Sequence, residues 1–314
     1  MIPVSVIIPI YNVERYIERC ARSLFEQTMD NIEYVFVNDC TPDNSIVILK
    51  RVLSDYPHRS SQVIIIDHEY NKGLPQARKT GILEATGDYV IHCDSDDWID
   101  KDMYEKMYNK AVEENSDMVL CRYKLNDGEK TWEDPSFTKP IKNEKNGSIK
   151  QLLNWEISGS LCTKLVKRTL YTNDIIYPKD NMCEDITLSV QLLLRSHKLS
   201  VIEEALYNYF INNSSICHQS DIEVSRKIAL QTINNAKIIE VAISQFQLTD
   251  LFRSDLLVLK SRVMASSRSL PWKQYVSACK KDLISLLVAR NISFRNKIGH
   301  LLKIVGIYNH LGRY

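Results

Sequence analysis

The chain has 314 residues, an ordinary apolar share of 44% and a net charge of +1, which describes a globular protein long enough for one large domain with an appendage or for two small domains. No stretch of about 18 apolar residues is present, and the opening Met1-Ile2-Pro3-Val4-Ser5-Val6 lacks a basic start and a cleavage site, so the expectation is a cytoplasmic protein without a membrane span or secretory leader. The eight cysteines show neither a C-x-x-C pair nor zinc-finger spacing, and residues 1–120 hold 12 Lys/Arg against 21 Asp/Glu, leaving the positive excess to the remainder; a disulfide framework, a structural zinc and a nucleic-acid partner are all disfavoured.

Short apolar runs at 4–10, 32–37, 63–66, 89–93 and 118–123 alternate with helical patterns. That rhythm belongs to an α/β fold with a mostly parallel central sheet flanked by helices. Between the third and fourth runs, Leu74, Ala77, Gly81, Ile82 and Ala85 fall at helical spacing, with Pro75 near the start and Gly87 just past the end; this predicts a helix. The fourth run leads directly into Asp94-Ser95-Asp96-Asp97, so three carboxylates arrive together at the sheet edge where open α/β folds bind ligands. Acids so crowded repel one another unless a cation lies between them, and a hard divalent ion with oxygen ligands is the usual answer. A plain turn, with Asp100 capping a helix that begins near residue 101, accounts for Asp100 and poorly for Asp94 and Asp96.

Residues 126–150 are polar and irregular, with two prolines, and read as a long loop or a pair of weak strands crossing the sheet. Past residue 148 the pattern is mainly helical, with segments near 149–156, 163–171 and 184–195 and nearly continuous helix from 221. The segment at 184–195 opens with the acid pair Glu184-Asp185 and carries Ile186, Val190, Leu193 and Leu194 on one stripe. The stretch 280–314 holds seven Lys/Arg against the single acid Asp282, interleaved with apolar residues such as Leu286, Phe294, Ile298 and Leu301. It reads as a helix lying on an anionic membrane surface, or as one packed on the body with a solvated basic face.

Taken in order, the strings I-I-P-I-Y-N (7–12), V-N-D-C-T-P-D-N-S (37–45), N-K-G-L-P-Q-A-R-K-T-G-I (71–82) and D-S-D-D (94–97) resemble family 2 glycosyltransferases of the GT-A fold. The resemblance is dense to about residue 125 and looser to about 217. It implies a nucleotide-sugar-binding half at 1–125, an acceptor-binding half at 126–220 and a C-terminal helical region at 221–314. It also implies an inverting enzyme that uses Mg²⁺ or Mn²⁺ to move one sugar from a nucleotide-diphosphate sugar, taken as a UDP-sugar, to a glycan hydroxyl. The basic tail adds the expectation that the acceptor is a lipid-linked glycan at the inner face of the cell membrane, as in bacterial surface polysaccharide synthesis.

Residue by residue, the resemblance gives Pro9 and Tyr11 the nucleoside pocket and Asp39 the base edge. Asn71, Gly73 and Arg78 lie beneath the nucleotide, with Arg78 facing the diphosphate. Asp94 meets the ribose or supports the ion beside Ser95, Asp96 holds the ion, and Asp185 is the general base. Lys164 reads equally as a phosphate contact or a solvated helix lysine, and His218 reads better as a partly exposed histidine than as a donor contact. The chain departs from the family in having Asn38 for an acid and Cys40 for a glycine, which puts the turn geometry there in question. It also lacks the Q-x-x-R-W string of processive synthases. A sugar-nucleotide nucleotidyltransferase would need a glycine-rich loop after the first strand, and residues 9–16 contain no glycine. A scaffold that kept the fold without turnover stays open.

Overall fold

The computed structural model describes residues 2–212, 221–280 and 282–304. The first apolar run forms β1 (Val4–Ile10), buried at every position; it lies between β2 (Ile32–Asn38) and β4 (Tyr89–His92), with β3 (Val63–Asp67) outside β2. These pairings are all parallel, as expected of runs whose two faces are both covered. The covering helices are α1 (Ile17–Phe25), α2 (Ser45–Ser54) and α3 (Leu74–Glu84). α3 approaches β1 closely because Gly81 has no side chain: a Cβ there would collide with Ile7.

The other half of the sheet is mixed. β8 (Lys164–Lys167) inserts antiparallel between β4 and β6 (Met118–Asn126), and β9 (Leu199–Phe210) runs parallel to β6. β5 (Trp98–Ile99) pairs with the end of β9, and β7 (Thr131–Glu133) folds back on β6. The segment at 163–171, expected as helix, is therefore a strand between short 3₁₀ turns. Leu165 and Val166 are buried there, and the open edges of β4 and β6 supply hydrogen bonds that outweigh local propensity. β9 also lay outside the expected strands: Glu203 and Glu204 interrupt its apolar pattern where the register with β6 shifts through a bulge. Of the two weak strands considered for 126–150, β7 forms; α5 (Lys145–Leu153) then begins, capped by Glu144 accepting from Gly147 N at 2.8 Å.

α4 (Met103–Glu113) and α6 (Glu184–Arg195) complete the layers around the sheet. Beyond them come α7 (Ile222–Gln245), α8 (Arg253–Ser266), α9 (Trp272–Cys279), α10 (Leu283–Val288) and α11 (Phe294–Ile304). A single apolar core runs from Met118 and Ile149 through α6 to Ile239, Leu259 and Tyr275, so the helical appendage is continuous with the sheet domain. α7 also steadies the start of α6, because Asn235 Nδ2 donates to the Asp180 and Met182 carbonyls at 2.8 and 2.7 Å. No helix among the described residues is long and apolar enough to cross a membrane.

Candidate active site

The loops leaving β1 and β2 interlock. Asn12 N donates to Thr41 Oγ1 at 2.7 Å, Glu14 N to Asp43 Oδ2 at 2.8 Å, and Asn44 N back to Glu14 Oε2 at 3.1 Å. Tyr11 projects from this junction with 48% of its surface exposed. Cys40, in place of the family's glycine, keeps the left-handed backbone at φ 54°. Asn38 serves the same turn by donating to Asp67 Oδ1 and accepting from Thr41 N.

Asp39 is buried, and its carboxylate shapes the next loop: it accepts from Lys72 N and Gly73 N, both at 2.8 Å, and lies 2.7 Å from His68 Nδ1. Among the described residues three of its roughly four lone-pair positions are engaged, which leaves one for a ligand. Gly73 takes φ 86°, and a Cβ there would sit 3.0 Å from Asn181 Oδ1, so this loop abuts the segment leading to α6. Asn71 stands exposed on the same loop.

The acidic turn after β4 divides its labour. Ser95 Oγ donates to the Pro9 carbonyl at 2.7 Å, tying the turn to β1. Asp97 is buried and accepts from Tyr207 OH and Phe210 N at 2.5 and 2.7 Å, which anchors β9; burial pushes its carboxyl well up. Asp96 accepts from Asn212 Nδ2 at 3.4 Å, and burial, followed by the charge of Asp94, pushes its carboxyl up to about 6. Arg19 donates to the Asp96 carbonyl at 2.9 Å while its guanidinium lies over Trp98 and Phe210, at 3.8 and 4.4 Å from the ring centres. The capping reading of Asp100 gives way: its carboxylate accepts from Lys124 Nζ and Asn208 Nδ2 at 2.8 and 2.9 Å, clamping β6 to β9, and Asp102 precedes α4.

Asp94, 32% exposed at its side chain, accepts from Arg78 Nη2 at 2.8 Å; Arg78 Nε donates to Glu184 Oε1 at 2.9 Å. Arg78 and Glu184 are both buried, and Arg78 Nη1 and Glu184 Oε2 have no hydrogen-bond partner among the described residues. The helix arginine that would ordinarily be solvated is thus an interior bridge from the β4 turn to the first residue of α6. Burial pushes Glu184 up to about 7 against the opposing charge of Arg78. The next residue, Asp185, is half-buried at the helix start, with Oδ1 accepting from Ile186 N at 2.7 Å. Carboxylates are stabilised at such a position by the helix dipole.

Lys164 is neither solvated nor helical. It is buried at the start of β8, and its Nζ donates to the Ser158 and Ser160 carbonyls at 2.8 and 2.6 Å; burial lowers it to about 8, with the charge of Asp185 opposing. His218 lies outside the described residues. Residues that sequence reasoning missed are Arg19, His68, Asn181 and Asn212. None carries a local signal, since each acts through a partner distant in the chain. Among the described residues no three His, Cys, Asp or Glu side chains converge as a self-sufficient ion site.

A sequence model described as Glycosyl transferase family 2 matches residues 5–169. The uncharacterized glycosyltransferase EpsJ of Bacillus subtilis is 32% identical over 226 residues, covering 69% of this chain and 63% of EpsJ, so the match spans under two thirds of that relative's length. The poly(ribitol-phosphate) β-N-acetylglucosaminyltransferase TarS of Staphylococcus aureus is 28% identical over 247 residues, 74% of this chain and 41% of TarS. In structure, a TarS fragment in complex with UDP-GlcNAc superposes with a TM-score of 0.63 at 21% identity, covering 99% of this chain and 93% of that one. The mannosyltransferase PcManGT of Pyrobaculum calidifontis, in complex with GDP-Man and Mn²⁺, gives 0.55 at 13% identity, with 98% and 86% covered. By the family match over more than half its length and the identity to EpsJ, this chain belongs to glycosyl transferase family 2 and has the GT-A fold.

Proposed function

We propose that the chain is an inverting, metal-dependent transferase that moves one sugar from a UDP-sugar to a glycan hydroxyl in bacterial surface polysaccharide assembly. The observation that carries this reading is the Asp94–Arg78–Glu184 bridge. It ties Asp94 of the donor-side turn to the helix start bearing Asp185, so that a diphosphate at the first and a hydroxyl at the second flank the same sugar. Residues 1–125 form the donor half and 126–220 the acceptor half. Pro9, Tyr11 and the last free position of Asp39 receive the nucleoside. Asn71 and Gly73 underlie it, and Ser95 holds the acidic turn against β1.

The residues fit a divalent ion. Burial and mutual repulsion hold Asp96 up at about 6, a cost that a cation offsets. Mg²⁺ and Mn²⁺ accept one or two carboxylates plus substrate phosphates, which suits a site with too few protein ligands of its own. Asp96, supported by Asp94, would hold the ion, and the ion would neutralise the departing diphosphate. The complexes of TarS with UDP-GlcNAc and of PcManGT with GDP-Man and Mn²⁺ support a nucleotide-sugar donor with such an ion.

In the reaction the acceptor hydroxyl passes its proton to Asp185 and bonds to the anomeric carbon. The bond to the diphosphate oxygen breaks on the opposite face, and UDP leaves. A single displacement inverts the anomeric centre. Arg78, committed to two acids, positions this pair and keeps Nη1 for a phosphate oxygen. The acceptor is a lipid-linked glycan at the inner membrane face, a reading supported by the basic amphipathic C-terminal stretch. UDP release from UDP-sugars in the presence of glycan acceptors tests the proposal: Asp185→Asn should lower kcat by roughly 100- to 10,000-fold with UDP affinity kept, and undiminished turnover would refute it.

A further inference from the structure

Phe294 and Ile284 are the most exposed large apolar side chains among the described residues, at 78% and 77%, and Val288 is 70% exposed. They lie on α10 and α11, which both pack against α8. Ile284 and Val288 are four residues apart on one face of α10; Phe294, Ile298 and Leu301 line one face of α11. The opposite side of α11 is fixed to the body, with His300 held by Tyr275 OH at 2.7 Å and by Ser261 Oγ at 3.1 Å. The apolar rows are therefore an outer face of anchored helices. Exposed apolar rows of this kind mark a binding face in a soluble fold.

The charges around it have one sign. Lys280, Arg290 and Arg295 are exposed beside the apolar rows, and Lys297 is half-buried. The one acid between 272 and 304, Asp282, turns inward to Lys260 Nζ at 3.0 Å. A second copy of the chain would bring these cations against their own kind, because a two-fold contact pairs a patch with itself. An anionic bilayer complements both the charge and the apolar rows.

We infer that α10 and α11 form a docking face for an anionic lipid surface: Ile284, Val288, Phe294, Ile298 and Leu301 enter the acyl boundary while the flanking cations meet headgroup phosphates. This deepens the reading of a membrane-held acceptor and rests on it for its purpose. The binding itself requires neither donor nor turnover.

The test is co-sedimentation of the full chain with vesicles of phosphatidylcholine alone and of a phosphatidylcholine–phosphatidylglycerol mixture. The expected result is binding to the mixture that salt weakens, with Ile284→Ser/Phe294→Ser and Arg290→Gln/Arg295→Gln each lowering the bound fraction by about tenfold or more. Thermal unfolding of each variant establishes that the exposed substitutions leave the fold intact. Asp185→Asn should bind vesicles as the wild type does, so loss of the transferase reading leaves this result standing. Absence of binding to the mixture, equal binding to both vesicles, or binding unaltered by the substitutions would overturn the inference. So would a dimer in solution that Ile284→Ser/Phe294→Ser dissolves.

Discussion

Arg78 Nε and Glu184 Oε1 lie 2.9 Å apart across 106 positions of sequence, in an interior closed to solvent. A buried pair of this kind contributes little net stability when intact, yet removing one partner strands a charge and costs about 3–5 kcal/mol. Glu184→Ala should therefore destabilise the protein by about 3 kcal/mol, and it should lower kcat more than it weakens nucleotide binding, because α6 carries Asp185. Urea unfolding with parallel kcat and UDP affinity measurements checks this. A variant with wild-type stability would show that the bridge is not an interior strut.

The same residue predicts a pH dependence. Burial raises Glu184 from 4.5 to about 7, so the folded state holds this proton more tightly than the unfolded chain does. The stability contributed is present below the unfolded value and is lost as pH rises through the folded one. Relative to Glu184→Gln, the wild type should lose stability between pH 4.5 and about 7, measured by unfolding free energies across that window.

Lys164 gives the opposite sign. Burial lowers it from 10.5 to about 8, so its contribution is present above the unfolded value and is lost as pH falls through the folded one. Relative to Lys164→Met, the wild type should lose stability as pH falls from 10.5 to about 8. A flat difference across that range would mean that Nζ titrates as it does in water.

Gly73 adopts φ 86° and ψ 159° against Asn181, a backbone region used almost only by glycine that costs a residue with a side chain about 1–3 kcal/mol. Gly73→Ala should displace the loop that Asp39 holds through Lys72 N and Gly73 N. The expected outcome is a higher KM for the donor with kcat changed much less, and steady-state kinetics checks it.

Cys40 also takes a positive φ, 54°, without a glycine's freedom. Cys40→Gly relieves that strain, offset in part by the larger unfolded-state entropy of glycine, and should raise stability by about 1 kcal/mol or less with donor affinity unchanged. A thermal melt and a UDP titration suffice.

How legible the molecule was in its sequence differs by element. β1, α3 and α6 were readable because their signals are local: a continuous apolar run, a glycine–proline frame and an amphipathic stripe. β8 and β9 were not, because four residues of β8 or a strand broken by Glu203 and Glu204 become strands only through edges supplied by distant β4 and β6. The site divides likewise. Asp94, Asp96 and the Glu184-Asp185 pair stood out as clustered acids, and the fold links Asp94 to Glu184 through Arg78. The burial of Arg78, the support of Asp39 by His68 and the reach of Asn212 to Asp96 depend on tertiary contacts that no local pattern announces.

The most direct measurement is calorimetric binding of UDP, with and without Mn²⁺, to the wild type and to Asp96→Ala. The account predicts Mn²⁺-dependent UDP binding that Asp96→Ala abolishes. UDP binding that ignores both the ion and the substitution would contradict a metal-held diphosphate at the acidic turn, and no UDP binding under either condition would leave the donor reading without its site.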